Sequence, residues 1–215
     1  MKKRVLNKKK DISEATLRRF PFYHHYLKQL ESEGVSEISS AQIAKFLGFN
    51  TIQVRKDIEA TNIDGKPKRG YNLKKLIAHI EKFLGFCTKN EAVLIGAGHL
   101  GYSLLGYHGF KEYGLDIIAA FDNNPEKINK FINYKKVFSI DRLEEIISRM
   151  QIKIGILTVP VACAQELTDR MVKVGIKAIW NFAPVKITVP KDVVVQYENL
   201  ASSLAVLAQK IKYLN

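Results

Sequence analysis

Cysteine is scarce in this chain: there are two, Cys87 and Cys163, 76 residues apart and without metal-site spacing. That count leaves no disulfide framework and no zinc site, so the expectation is two reduced, packed thiols in a cytoplasmic protein, with a redox-active pair as the minor alternative. No run of eighteen apolar residues occurs, which argues against a membrane-spanning helix. The basic N-terminus lacks the apolar stretch of a secretory signal. The histidines form no convincing pair with a carboxylate, so no catalytic residue and no metal ligand is assigned. Acidic residues are few in one part of the chain: residues 1–90 hold nineteen Lys and Arg against nine Asp and Glu, whereas residues 91–215 hold fifteen against twelve. A concentrated basic excess suits a nucleic-acid-binding module. Six of the nineteen lie between Lys2 and Lys10, however, and a solvated basic tail would account for more than half of the asymmetry.

The 215 residues, 47% hydrophobic, are long enough for two small domains with cores of their own. The most informative segment is EAVLIGAGHLG, residues 91–101. Ala92, Val93, Leu94 and Ile95 read as a buried strand, Gly96, Gly98 and Gly101 follow as G-x-G-x-x-G, and a helix runs from Leu100 to about Gly106. In a dinucleotide site the first glycine makes the tight turn and the second admits a pyrophosphate. The third lets helix pack on strand, and the helix N-terminus offers unpaired N–H groups to the phosphates. A second strand, Ile117–Asp122, ends on a carboxylate placed to bond a ribose. Asn123, Asn124 and Pro125 follow it and no Arg does, which favours NAD(H) over NADP(H).

Ahead of this segment, a helix is expected from about Ser13 to Glu33, with Asp11 and Ser13 as caps and a break or kink near Phe20 imposed by Pro21. Ser39 and Gln42 have capping-box spacing for a short helix with Ile43, Ala44 and Leu47 inward. Gly48-Phe49-Asn50 makes a turn, and Asn50 with Gln53 caps a second helix with Ile52, Val54 and Ile58 inward. Two short helices joined by such a turn read as a helix-turn-helix. Ser40, Thr51, Gln53, Arg55 and Lys56 are its candidate DNA contacts. Residues 62–71 read as a basic hairpin, a wing, that would aim Lys66, Lys68 and Arg69 at the phosphate backbone.

Further on, helices over about 141–150 and 162–173 alternate with strands at 153–159, 178–182 and 193–195. Strand ends in such sheets face the ligand cleft, so Thr158-Val159-Pro160 and Asn181-Phe182-Ala183-Pro184 are candidate cofactor-binding residues with Gly96, Ala97, Gly98, His99, Leu100, Gly101, Asp122 and Asn123. Trp180 reads as core. In the last helix, capped by Asn199, the residues Leu200, Leu204, Leu207, Ile211 and Leu214 form a narrow apolar seam that must bury against its own domain or a partner subunit, and its place on a terminal helix favours a dimer.

The order IQVRKDI, GAGHLG, YHGF, FDNNPEKI, ILTVP, NFAP and the seam helix resembles the Rex family of NADH-sensing transcriptional repressors from about Ile12 onward. The resemblance implies an α/β chain: an N-terminal winged helix-turn-helix domain, a Rossmann-type parallel sheet domain and a C-terminal swapped helix. The corresponding divisions are a basic tail (1–10), a winged-helix domain (11–88), a Rossmann domain (89–198) and a dimerisation helix (199–215). It further implies a homodimer on double-stranded DNA at a palindromic operator, released when NADH binds as effector rather than as redox reagent. Family members carry an Arg, a Tyr and an Asp as a polar switch between subunits, and these positions fall on His25, Tyr107 and Asn199. Only the Tyr is kept. The aromatic-glycine stretch after the recognition helix is replaced by Glu59-Ala60-Thr61-Asn62-Ile63, one glycine of the wing is Lys68, His99 stands where Asn is frequent, and His108 stands for a Pro. These departures leave room for a diverged paralogue with weak redox discrimination or another nucleotide. They also suggest that His25 could make operator release pH-dependent. Two other readings stay open: a small NAD-dependent oxidoreductase using His99, His108 or Tyr107, and a nucleotide-binding protein whose winged helix serves only protein contacts.

Overall fold

The computed structural model describes residues 12–63, 65 and 69–213. The expected basic tail, the cap Asp11, the wing residues Lys66 and Lys68, and Leu214 lie outside these residues. The chain divides into two compact units between Cys87 and Thr88.

The first unit runs α1 (Glu14–Ser32), β1 (Glu37–Ile38), α2 (Ser40–Leu47), α3 (Thr51–Glu59), β2 (Tyr71–Asn72) and α4 (Leu73–Leu84). Ser13 caps α1 by accepting from the Thr16 amide at 3.2 Å. The break expected at Pro21 does not occur, and the helix continues through it. Pro21 and Leu17 are both exposed, so the Leu17 carbonyl that loses its donor lies on the side open to water, while Phe20, Tyr23 and Leu27 hold the opposite face in the core. The Ser39–Gln42 capping box is formed, with amide-to-side-chain bonds of 3.2 and 2.8 Å in the two directions. Asn50 Oδ1 caps α3, accepting from the Ile52 and Gln53 amides at 2.9 and 3.4 Å.

One further expectation for this unit is corrected. Ile52 does not face inward but is 57% exposed, and the buried positions of α3 are Val54, Asp57 and Ile58. At the far end of the expected wing, Tyr71 pairs with Ile38 and Asn72 with Glu37. Helix α4, which the sequence reading passed over, is capped by Asn72 and contributes Leu73, Leu76, Ile77 and Ile80 to the core.

Asp57 is 5% exposed and would be costly as a lone charge. Arg19 of α1 meets it with two parallel bonds of 2.7 and 2.8 Å, and the Tyr23 hydroxyl donates to it at 2.7 Å. Burial and that carboxylate together push the Tyr23 hydroxyl far above its usual range, so it stays a donor. This network ties the first helix to the second helix of the helix-turn-helix.

The second unit holds a seven-stranded sheet of β3 (Asn90–Ile95), β4 (Leu115–Asp122), β5 (Phe131–Ile132), β6 (Lys135–Ser139), β7 (Ile154–Leu157), β8 (Ala178–Asn181) and β9 (Val194–Tyr197). The spatial order is β5-β6-β4-β3-β7-β8-β9, parallel except for the β5–β6 hairpin. Without the edge strand β5, the order of the six parallel strands is that of a doubly wound dinucleotide-binding sheet. Central β3 is buried on both faces, which explains its continuous apolar run. Val93 and Ile95 pack with α6 (Leu143–Met150) and α7 (Val161–Lys173), whereas Ala92 and Leu94 pack with Leu105 of α5 (His99–Gly106). The chain ends in α8 (Leu200–Ile211), along which Leu204, Leu207 and Ile211 are 65, 56 and 52% exposed.

Removing the Arg19 guanidinium leaves Asp57 buried without its cation. Arg19→Ala is therefore expected to destabilise the first unit by about 3 kcal/mol, and Tyr23→Phe by about 1 kcal/mol, read as shifts in the urea unfolding midpoint. Equal, negligible shifts for both variants would contradict the role assigned to the network.

Candidate dinucleotide cleft and nucleic-acid interface

At the carboxyl ends of the strands, where the strand order reverses between β3 and β7, a cleft of about 520 Å3 opens. Gly96 and Gly98 form one wall, Asp122 and Asn123 the floor at the end of β4, and Thr158, Val159 and Pro160 the opposite wall. The three glycines have separable jobs. Gly96 turns the chain at φ +96°, and a Cβ there would meet the Thr158 carbonyl oxygen at 2.8 Å. A Cβ on Gly101 would come within 2.1 Å of the Gly96 carbonyl oxygen, so helix and turn can close only without one. Around Gly98 nothing lies within 4 Å of that position. The open space stands directly before the first turn of α5, whose N-terminus no side chain caps. An anionic group can reach the amides there because the backbone is bare.

Asp122 is 7% exposed and is not a free carboxylate waiting for a ribose. Its Oδ2 accepts from the Ala97 amide at 2.8 Å and from Lys127 Nζ at 3.3 Å, and its Oδ1 accepts from the Asn124 amide at 2.8 Å. The acid therefore first braces the glycine turn against the end of β4, and Oδ1 keeps acceptor capacity for one more donor. Thr158 locks the turn from the other side, donating from Oγ1 to the Gly96 carbonyl at 2.7 Å.

Several cleft residues were missed by sequence reasoning. Lys127 sits five positions after Asp122, past the Asn123-Asn124-Pro125 stretch. Cys163, Glu166 and Arg170 line the cleft from successive turns of α7. Arg170 donates to Glu144 and to the Ile140 carbonyl, both at 2.9 Å, and that guanidinium holds the Glu144 carboxyl below its usual range. Cys163 is half-buried but Cys87 is exposed, so the expectation of two packed thiols holds for one.

The NFAP segment does not line the cleft as expected. Asn181 is fully buried and internally satisfied, donating to the Val185 carbonyl and accepting from the Ala183 amide, both at 2.9 Å. Ala183 is buried, Phe182 packs against Trp180 with ring centres 4.9 Å apart, and Pro184 is exposed. Trp180 is half-buried and donates to Glu198 at 3.2 Å. His99 and Leu100 are exposed on the first turn of α5. Of the three positions implied as a switch, His25 is exposed on α1, and Tyr107 is 54% exposed with its ring edge-on to Phe110. Asn199 uses its side-chain oxygen to cap α8 through the Ala201 amide at 3.0 Å.

In the first unit, Thr51, Gln53, Arg55 and Lys56 all stand exposed on α3, Arg69 is exposed, and Ser40 is half-buried at the start of α2. Arg55 lies 3.7 Å from Glu59, a surface pair too weak to withhold it from a phosphate. Asn50 leaves the amino end of α3 capped, while the buried Asp57 fixes which face points outward.

A helix-turn-helix with a basic, outward-facing second helix, on the same chain as a bare-backbone dinucleotide turn, defines a ligand-responsive DNA-binding regulator. Family models agree with each half: the CoA binding domain matches residues 88–185, and the putative DNA-binding protein N-terminus matches residues 11–58. A redox-sensing transcriptional repressor Rex of Treponema denticola is 50% identical over 200 residues, covering 93% of this chain and 95% of its own. The protein of that name from Carboxydothermus hydrogenoformans is 42% identical, covering 94% and 97%. Among solved structures, RSP in complex with β-NAD+ and operator DNA superposes with a TM-score of 0.89 at 35% identity, covering 95% of this chain and 94% of its own. RSP in complex with β-NADH gives 0.85 at 35% identity, covering 95% and 96%. The chain belongs to the Rex family of redox-sensing transcriptional repressors.

Two outcomes follow from the cleft. Gly101→Ala is expected to lower the stability of the second unit by about 2 kcal/mol through overpacking against the Gly96 carbonyl, measured by thermal unfolding. The Glu144–Arg170 pair lowers the folded-state pKa of Glu144, so its stabilisation is full above the unfolded carboxylate value of about 4.3 and is lost as pH falls below it. The urea midpoints of the native chain and Glu144→Gln should therefore differ at pH 7 and converge towards pH 3.

Proposed function

We propose that the chain is a homodimeric repressor that holds a palindromic operator through α3 of each subunit and leaves it when NADH occupies the cleft at Gly98. The observation that carries this reading is the empty volume around the Gly98 backbone, beside an uncapped helix amino end, in a chain whose other unit presents an exposed basic helix. The His99, Leu100 and Gly101 amides would receive the pyrophosphate, with Ala97 held behind them by Asp122. A ribose hydroxyl would donate to Asp122 Oδ1, and Thr158, Val159 and Pro160 would close the opposite wall. A carboxylate side chain at Asp122 disfavours a 2′-phosphate at this place, which supports NAD(H) over its phosphorylated form, although Lys127 stands beside it. The bound dinucleotide supplies a nicotinamide whose reduced and oxidised forms differ by one positive charge.

The cleft works by binding rather than by hydride transfer in this reading. His99, His108 and Tyr107, the side chains a dehydrogenase would need, stand outside the residues that line it. A ligand changes DNA occupancy only through its unequal affinity for the DNA-bound and free forms, so a hundredfold preference of NADH for the released form is worth about 2.7 kcal/mol. Subunit pairing is supported by the exposed seam of α8, and a cytoplasmic site of action by the need to meet both DNA and the dinucleotide pool. On the DNA side, Gln53, Arg55, Lys56 and Arg69, with Ser40 and Thr51 beside them, are the proposed contacts, and two-fold pairing would set the helices one duplex turn apart.

Fluorescence anisotropy on a labelled AT-rich palindrome, with NADH and then with NAD+, tests the reading. Release by NADH at concentrations where NAD+ leaves the complex intact is expected. Indifference to both would overturn the redox assignment, and titration with coenzyme A would then show whether the cleft takes a different nucleotide. Gly98→Ala should keep DNA binding and the unfolding temperature while weakening NADH affinity about tenfold, since the methyl group enters only the ligand's space.

A further inference from the structure

Helix α3 carries one large apolar side chain on the side away from its core. At about 3.6 residues per turn, Val54, Asp57 and Ile58 point into the unit and Ile52 falls almost diametrically opposite them, 57% exposed. Thr51, Gln53, Arg55, Lys56 and Glu59 stand exposed around it. Core packing therefore does not account for an isoleucine here. Helix propensity does not either, because a β-branched residue loses rotamer freedom that Ala or Gln would keep. Its backbone is held in place, since the Ile52 amide donates to the cap Asn50 Oδ1 at 2.9 Å. Charge is graded along the same face. The amino-terminal part of that face holds Arg55 and Lys56 and no acid, whereas Glu59 lies at the carboxyl end, 3.7 Å from Arg55. A polyanion is thus best met by the amino end, where Ile52 stands.

Resting on the DNA-binding reading above, we propose that Ile52 is a base-reading residue whose side chain packs on the 5-methyl group of one thymine in each half-site. The first turn of the second helix in a helix-turn-helix is the part that reaches base edges in the major groove. A side chain without polar atoms can bond neither a phosphate nor a base acceptor there. Thymine is the one base whose major-groove edge offers a methyl group, so it is the edge that an isoleucine can recognise. The other bases are disfavoured at that place for a common reason. Cytosine would bring its amino donor, and adenine or guanine their ring and exocyclic polar atoms, against an apolar surface that answers none of them. Gln53 and Lys56 differ in kind, because their donors can meet the neighbouring bases and phosphates. Ile52 would accordingly add sequence preference without adding to the electrostatic part of the affinity.

The full chain and Ile52→Ala are titrated by anisotropy on an AT-rich palindrome and on copies of it carrying deoxyuridine. One thymine of each half-site is replaced, position by position, which deletes the methyl group and keeps the base pair. At one position the native chain should bind the deoxyuridine duplex about fourfold more weakly per half-site, or about fifteenfold for the symmetric pair. Ile52→Ala should bind the unmodified palindrome more weakly by at least as much, and should be indifferent to deoxyuridine at that position. Its urea midpoint should stay native, because the side chain it shortens is exposed. Its fall of log K with log salt should also stay native, because the lost contact is uncharged. A native chain that binds but weakens with deoxyuridine at no position would overturn the proposal. So would a methyl effect that Ile52→Ala feels equally, since another residue would then read that methyl, or a shallower salt slope in Ile52→Ala. A native chain that binds no duplex at low salt would overturn the DNA-binding reading itself, an outcome distinct from tight binding that ignores thymine methyl groups.

Discussion

A carboxyl group withdrawn from water must be met by hydrogen-bond donors, and each unit of this protein is organised around one. In the first, Asp57 of α3 is met by the Arg19 fork and the Tyr23 hydroxyl of α1. In the second, Asp122 at the end of β4 is met by the Ala97 and Asn124 amides and by Lys127. Both acids sit one layer behind the working surface. Asp57 fixes the rotation of α3, so that Val54 and Ile58 go inward and Gln53, Arg55 and Lys56 go out. Asp122 fixes the turn that leaves Gly98 bare. Apolar burial would hold the helices and strands together without either acid, but it would specify their orientation less sharply, because a hydrophobic contact tolerates rotation and a bidentate ion pair does not.

The glycine turn adds a steric constraint to this electrostatic one. Gly101 leaves no room for a Cβ against the Gly96 carbonyl, Gly96 leaves none against Thr158, and Thr158 bonds back to the Gly96 carbonyl. The ends of β3 and β7 and the start of α5 are thereby one rigid corner. A ligand bound there would meet backbone that hardly needs to move, so ordering the site would cost it little affinity.

Much of this was legible in the chain, and the exceptions have physical causes. The glycine spacing, the Ser39–Gln42 box, the Asn50 cap and the alternation of strands and helices are local signals, and they were read correctly. Ile52 was assigned inward because it is apolar, yet the inward place on α3 went to Asp57, whose partners are 34 and 38 residues away and invisible to periodicity. Pro21 was read as a break, although on a solvent-facing side a proline removes one bond without ending a helix already held by Phe20, Tyr23 and Leu27. Helix α4 is hidden in the sequence because its lysines follow directly on the basic stretch of the expected wing, although Asn72 and the spacing of Leu73, Leu76, Ile77 and Ile80 announce it. The β5–β6 hairpin was missed because its turn, Asn133-Tyr134, takes two positive φ values without the glycine that usually marks them. Asn181 looked like a cleft residue because it ends a strand, but its amide turned inward to satisfy a loop backbone.

The contrast between Gly98 and Gly101 has a genetic side. Both are one base change from larger residues, but in the proposed reading a larger residue at Gly101 weakens the fold, whereas one at Gly98 leaves an intact molecule deaf to its ligand. In a paired repressor a deaf subunit can hold a responsive partner on the operator. Alleles at Gly101 should therefore be recessive and derepressed, and alleles at Gly98 dominant and permanently silent. Under selection for metabolic response, the second glycine would be guarded more strictly than its open surroundings suggest.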